Sequence, residues 1–315
     1  MKKTFLTLIL VSALTLTACT STTDKDDKSS VIQTESIAET TAEITTEATT
    51  EAPTEEVKEN KIEDVSATEK KLTCYVDEQK VGGFLYLPEG EGPFPTLVFV
   101  SGGGADYYQY AEETMKIVEN GIAVVSFDCR GGVGVSLLSD GEMSEWTPQG
   151  SVKDIMAITN LISDHPAVDT DKLFIIGHSM GGYTAAVAAA ENPDVFKGMI
   201  GFDPSYWMHD EYNRLQSEGI DVEEIKRIGV LPSFFYGVLK INFDEIIKSF
   251  TQEVLLLTGT ESDTLLSYSP DIVQKYEEVF PNAELIVVDG ADHSFSGHKD
   301  KLVELVVDFI NKNIK

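Results

Sequence analysis

The sequence predicts an α/β fold, an eight-stranded mostly parallel sheet flanked by helices, and three observations carry that expectation. After Lys71, short runs of β-branched and aromatic residues alternate with amphipathic segments, and Gly- and Pro-containing turns divide them, the pattern of repeated strand-helix-strand units. The chain has 315 residues with 42% hydrophobic content, enough to fill one large core. The first seventy residues lack the alternation, so residues 71–315 are read as the globular part.

In order, strands are expected at 72–76, 83–87, 96–100, 123–127, 173–176, 198–201, 254–258 and 284–288. Helical periodicity falls between them at 107–119, 150–164, 180–191, 269–279 and 299–313. The first of these stops at Asn120-Gly121, and the next two stop before Pro166 and Pro193. Each is long enough to cross one face of a sheet. No internal repeat is present, which excludes a solenoid or a propeller. Residues from about 205 to 250 interrupt the alternation between strands six and seven with helix-forming sequence rich in aromatics, including Tyr206, Trp207, Phe234, Phe235 and Tyr236. This is read as an inserted helical cap, the alternative being an extra packed helix pair.

The N-terminal end follows different rules. Lys2 and Lys3 precede an apolar stretch from Phe5 to Leu16, too short to span a bilayer and of the length of a signal-peptide core. Leu16-Thr17-Ala18-Cys19 follows and resembles the bacterial lipobox, so residues 1–19 are read as a lipoprotein signal with Cys19 as the lipidated residue. Acyl chains on Cys19 bury methylenes at about 0.8 kcal/mol each. The expected location is therefore the outer side of a bacterial cell membrane, with the membrane as a partner through that lipid. Residues 20–70 are dominated by Thr, Ser, Glu, Ala and Asp, and carry 14 acidic residues against five Lys. A segment of this composition cannot bury enough apolar surface to fold and is extended by its own charge, which makes it a tether.

The formal net charge of -29 and the lack of a basic run argue against nucleic acid as a partner. Beyond Cys19, Cys74 and Cys129 each adjoin a strand-like run, which leaves a disulfide between them open. No His, Cys and Asp cluster has ligand spacing, so no metal is expected.

The chemistry concentrates at Leu173-Phe-Ile-Ile-Gly-His-Ser-Met-Gly-Gly182, an apolar strand run leading through Gly-x-Ser-x-Gly into an Ala-rich helix. A serine on such a turn stands exposed above the sheet edge and needs small neighbours, which Gly177 and Gly181 supply. Ser179 is the expected nucleophile, and the N–H of Met180 opens the following helix as an oxyanion donor. A serine hydroxyl needs a base, and His293 in Asp289-Gly-Ala-Asp-His-Ser-Phe295 follows the last strand. His298 is read as a helix-start residue. His178 is expected to pack or bond locally, His165 precedes a proline, and His209 lies in the cap. The third member must accept the second N–H of the base. Asp263 in Thr258-Gly-Thr-Glu-Ser-Asp263 is the expected acid, with Glu261 as the alternative register and Asp292 read as structural. The second oxyanion donor is placed at Gly103, with Gly104 as neighbour, in Ser101-Gly-Gly-Gly-Ala105. Asp128 and Arg130 are expected to hold their loop by local ion pairing.

With these residues assembled, 72–315 resembles the α/β-hydrolase superfamily, and more narrowly its cinnamoyl or feruloyl esterase branch and the related serine aminopeptidase-like hydrolases. The resemblance rests on Asp128-Cys-Arg-Gly, Gly-His-Ser-Met-Gly-Gly, Thr-Gly-Thr-Glu-Ser-Asp and Gly-Ala-Asp-His-Ser-Phe, while the family's usual His-Gly at the oxyanion loop is Ser101-Gly102 here. It implies a cofactor-free triad of Ser179, Asp263 and His293, and an acyl-enzyme route for carboxylic esters such as feruloyl, cinnamoyl or acetyl groups on small molecules or polysaccharides. The rival readings are a serine peptidase of the aminopeptidase-like kind and a non-catalytic surface-binding module.

Overall fold

The computed structural model describes residues 58–314 apart from 134, 135, 137, 220–231 and 263–269, and for residues 212, 215, 216 and 232 it describes the backbone alone. Cys19, the signal, most of the tether, part of the cap and Asp263 lie outside the described residues.

The described strands are β1 (Lys61–Asp64), β2 (Glu69–Val76), β3 (Gln79–Tyr86), β4 (Phe94–Val100), β5 (Ala123–Phe127), β6 (Val168–His178), β7 (Gly198–Phe202), β8 (Glu253–Gly259) and β9 (Ala283–Val288). They form one sheet in the order β1-β2-β3-β5-β4-β6-β7-β8-β9, antiparallel from β1 through β3 to β5 and parallel from there to β9. The expected eight strands become nine because β1 lies inside the stretch read as tether. Its sequence Lys-Ile-Glu-Asp has one apolar residue, and three of its four positions are exposed, so side-chain pattern gives no sign of it. What holds it is the backbone ladder to β2, from Lys61 opposite Thr73 to Asp64 opposite Lys70.

The parallel strands bury both faces, as strands covered by helices on two sides do. Along β4, Leu97 and Phe99 enter one core cluster and Val98 and Val100 the other. Phe174 and Ile176 of β6 likewise part from Leu173 and Ile175. Helices α1 (Ala111–Glu119) and α8 (Lys299–Asn313) cover the first face. Helices α2 (Pro148–Ser163) and α3 (Met180–Glu191) cover the second.

Local chemistry sets the helix ends. Helix α2 starts two residues before the expected 150 because Thr147 caps it, its hydroxyl accepting the Gly150 N–H at 3.0 Å, and Pro148 at the first helical position has its φ fixed in advance. Helix α1 starts at 111, not 107, because the chain at Tyr107 is tied into the neighbouring loop. The Tyr107 N–H donates to Asp128 Oδ1 at 2.6 Å, and the Ser126 hydroxyl donates to the Tyr107 carbonyl at 2.6 Å.

Between β7 and β8 lie α4 (Trp207–Ser217), α5 (Pro232–Val238) and α6 (Phe243–Ile246), followed by α7 (Pro270–Glu277) after β8. The aromatics of this insertion turn inward. Phe234 is fully buried with its ring centroid 4.3 Å from that of Trp146, and Phe243 stacks on Tyr183 at 4.5 Å. Offset aromatic pairs of this kind add about 0.5–1.5 kcal/mol beyond area burial. The described part of the insertion is thus welded to the body along Trp146 and α3.

Candidate active site

Ser179 sits between β6 and α3 with φ 54° and ψ -121°, a conformation that a non-glycine residue adopts only where its surroundings hold it there. Those surroundings are backbone. The Ser179 N–H donates to the Phe202 carbonyl at 3.1 Å, while the N–H groups of Gly182 and Ser205 donate to the Ser179 carbonyl at 3.0 and 2.9 Å. A Cβ on Gly177 would stand 2.2 Å from the Gly181 carbonyl oxygen, and one on Gly181 would stand 2.4 Å from the Ser101 and Val100 carbonyl oxygens. The turn therefore closes only with glycine at both places.

His293 lies in the loop between β9 and α8. Its Nδ1 is hydrogen-bonded to Oδ2 of Asp203, a fully buried carboxylate directly after β7. Asp203 also accepts the Thr258 hydroxyl at 2.6 Å on Oδ1 and the Ser262 hydroxyl on Oδ2. Its φ of 41° is another non-glycine left-handed position, and its N–H donates to the Leu257 carbonyl at 2.7 Å. The acid expected at Asp263 lies outside the described residues. The alternative, Glu261, is exposed, and the end of β8 and the loop after it reach the imidazole's partner through the hydroxyls of Thr258 and Ser262. Asp203 is the described carboxylate on His293 Nδ1, and sequence reasoning does not single it out. The available signal was a carboxylate following the uninterrupted apolar strand at 198–202, obscured by the aromatic insertion that begins two residues later.

Asp292 is structural as expected, its Oδ1 accepting the N–H groups of Ser294 and Ser296 at 3.0 and 2.8 Å. His298 is the N-cap residue of α8, as its position in the sequence implies. His178 is 3% exposed and donates from Nε2 to the carbonyl oxygen of His293 at 3.0 Å. The carbonyl can only accept, so Nε2 carries the hydrogen. Its faces pack against Tyr110, Phe202 and His293. Burial, reinforced by the neighbouring His293, pushes the His178 pKa down to about 3. In the unfolded chain the same group titrates near its ordinary 6.5, so between those values the unfolded state binds the extra proton. Stability is then complete above about pH 6.5 and falls by about 1.4 kcal/mol per pH unit below it. The pKa values of His165 and His209 are also lowered by burial and add to the parent's slope. Urea unfolding at pH 7 and pH 5 is therefore expected to show a smaller loss of stability in His178→Gln than in the parent. An equal slope in both would refute the assignment.

Two amides are expected as oxyanion donors, those of Met180 and Gly103. Met180 opens α3, and neither its N–H nor that of Gly103 donates to a partner among the described residues. Gly104 is different, since its N–H donates to the Gly132 carbonyl at 2.8 Å. The Gly102-Gly103 segment presses on Ser179 and Met180. A Cβ on Gly102 would stand 3.3 Å from that of Ser179, and one on Gly103 would stand 2.6 Å from Met180 Sδ and 3.1 Å from the Trp146 ring. The insertion reaches this loop through the Phe234 and Trp146 pair.

The loop after β5 departs from the expected pairing of Asp128 with Arg130. Arg130 Nε donates to Asp154 Oδ1 at 2.7 Å and its N–H to Oδ2 at 2.8 Å, while Asp128 accepts the Tyr107 N–H and the Ser136 hydroxyl. The guanidinium is the stronger match for a wholly buried carboxylate on α2, and Asp128 finds enough neutral donors in its own loop. Cys74 and Cys129 are free thiols, and burial pushes that of Cys74 up to about 12.

Comparison with known proteins places this geometry. The sequence model of the prolyl oligopeptidase family, Peptidase_S9, matches residues 108–315, about two thirds of the chain. The chain belongs to the prolyl oligopeptidase family. Its fold is the α/β-hydrolase fold that the sequence implied. Among solved structures, Est1E of Butyrivibrio proteoclasticus with bound ferulic acid matches this prolyl oligopeptidase family member with a TM-score of 0.63. The identity is 18%, over 77% of this chain and 98% of that one. The α/β hydrolase GrgF of a Penicillium species matches at TM-score 0.62, 17% identity, 78% and 98%. Among curated relatives, esterase EstD of Thermotoga maritima is 23% identical over 269 residues, which is 72% of this chain and 63% of EstD. The rat monoglyceride lipase is 32% identical over 109 residues, 34% of each. The chain thus spans less than two thirds of these curated relatives.

Proposed function

We propose that the protein is a serine carboxylic ester hydrolase working through an acyl-enzyme, with Ser179 as nucleophile, His293 as base and Asp203 as the acid. The observation that carries this reading is the His293 Nδ1 bond to a buried carboxylate beside a serine held at a strained strand-helix turn. Asp203 fixes the tautomer, so Nε2 is the nitrogen that accepts the Ser179 proton. The Oγ attacks the acyl carbon, the Gly103 and Met180 amides receive the oxyanion, and His293 passes the proton to the departing alcohol. Water then repeats the sequence and frees the acid. No step calls for a metal or cofactor.

Feruloyl, cinnamoyl or acetyl esters on small molecules or polysaccharides are the proposed substrates, supported by the likeness to Est1E, whose structure contains ferulic acid. The proposed place of action is outside the cytoplasm, on a membrane held through lipid at Cys19, a reading supported by the sequence of residues 1–19 alone. The second reading, a serine peptidase, is favoured by membership of the prolyl oligopeptidase family. The two separate on one substrate panel given to the full chain: p-nitrophenyl acetate and butyrate, methyl ferulate and an aminoacyl-nitroanilide. Ester turnover is expected. Cleavage of the anilide alone would favour the peptidase, and no turnover of any substrate would leave a binding module.

A further inference from the structure

Ser205 Oγ lies 3.2 Å from Ser179 Oγ, and the two hydroxyls form a hydrogen bond in a buried setting. Three backbone bonds hold the two serine backbones side by side, so that the hydroxyls are within reach. Ser179 N–H is held by Phe202, Ser205 N–H donates to the Ser179 carbonyl, and Asp203 N–H is held by Leu257. Pro204 is seated against α3, where a Cβ on Gly182 would come within 2.7 Å of the proline ring. One three-residue segment, Asp203-Pro204-Ser205, therefore brings a carboxylate to the base and a hydroxyl to the nucleophile.

We propose that Ser205 is a further catalytic residue, whose hydroxyl donates a hydrogen bond to Ser179 Oγ. The inference rests on Ser179 being the nucleophile. In the reactive arrangement the one proton on Ser179 Oγ points to His293, so toward Ser205 that oxygen can only accept. As His293 removes the proton and the bond from Oγ to the acyl carbon forms, negative charge passes through Oγ, and the Ser205 hydroxyl stabilises it. In the second half, water adds to the acyl carbon and the bond to Oγ breaks. Oγ departs with the electron pair and regains its proton from His293, again facing the same donor. Ser205 keeps its own proton throughout. Bonds to a developing charge are stronger than neutral ones, and the sheltered setting strengthens them further.

The test uses the full chain and p-nitrophenyl acetate. Ser205→Ala is expected to lower kcat by about 10- to 100-fold with little change in KM. The second-order rate of labelling by a fluorophosphonate is expected to fall with it, because that reaction reports Oγ reactivity without a deacylation step. A residue that only supports packing would lower the melting temperature and leave the labelling rate per folded molecule unchanged. Ser205→Cys, close in size and a weaker donor, is expected to fall between parent and Ser205→Ala, and it carries the test if the alanine variant unfolds. Parent-like kcat and labelling in the folded variant would overturn the proposal, and a rise in both would mean that Ser205 accepts and holds Ser179 out of line. Activity surviving in Ser179→Ala would instead remove the nucleophile assignment itself.

Discussion

Ser179→Ala is expected to lower kcat for p-nitrophenyl butyrate by about 10⁶-fold and to abolish fluorophosphonate labelling. The size follows from the role. Without Oγ there is no acyl-enzyme, and what survives is the hydrolysis that positioned oxyanion donors give to bound substrate, about 10³-fold over water. Folding should be nearly untouched. Alanine keeps the Cβ, so the strained φ of 54° is unchanged, and the side-chain bond lost is the one to Ser205, with a cost of about 1 kcal/mol. A thermal melt beside the kinetics separates the two effects. Activity within tenfold of the parent would place the nucleophile elsewhere.

Asp203→Asn carries the second-largest effect, a fall in kcat of about 10⁴-fold. The amide is nearly isosteric, and its oxygen can still accept the Thr258 hydroxyl. Its NH2 cannot accept from His293 Nδ1, so the imidazole is driven to the other tautomer, with the proton on Nε2, where it no longer takes the Ser179 proton. The imidazolium also loses its buried counter-charge. Asp263→Asn is expected to leave kcat near the parent value. Were the two results exchanged, the acid would be Asp263, and Asp203 would be a structural carboxylate bound by Thr258 and Ser262.

These two aspartates mark where sequence reading succeeds and where it stops. The core strands were legible because a buried parallel strand is a short apolar run with breakers on either side, so β4 to β9 fall within a few residues of expectation except for the longer N-terminal end of β6. The strained turn at Ser179 and the loop that carries His293 were legible because strand, turn and helix constrain them locally. The acid is fixed by nothing local. Two carboxylates follow successive strands, at 203 after β7 and at 263 after β8, and only the three-dimensional course of the chain decides which meets Nδ1. Arg130 misled for the same reason, since its partner Asp154 is remote in sequence on a helix packed beneath the loop. Strand β1 escaped notice because backbone amides recognise it and its side chains do not.

That edge strand has a mechanical consequence. Tension entering the globular unit from its N-terminal side reaches β1 first. The ladder to β2 ends at Lys61, the end nearest the pull, so its bonds would open one pair at a time from Lys61 toward Asp64. Five interstrand steps separate β1 from β6, which carries Ser179 at its end, a span of about 24 Å at the usual 4.8 Å spacing. The outermost strand can therefore act as a mechanical fuse, yielding under drag while the reacting groups keep their alignment.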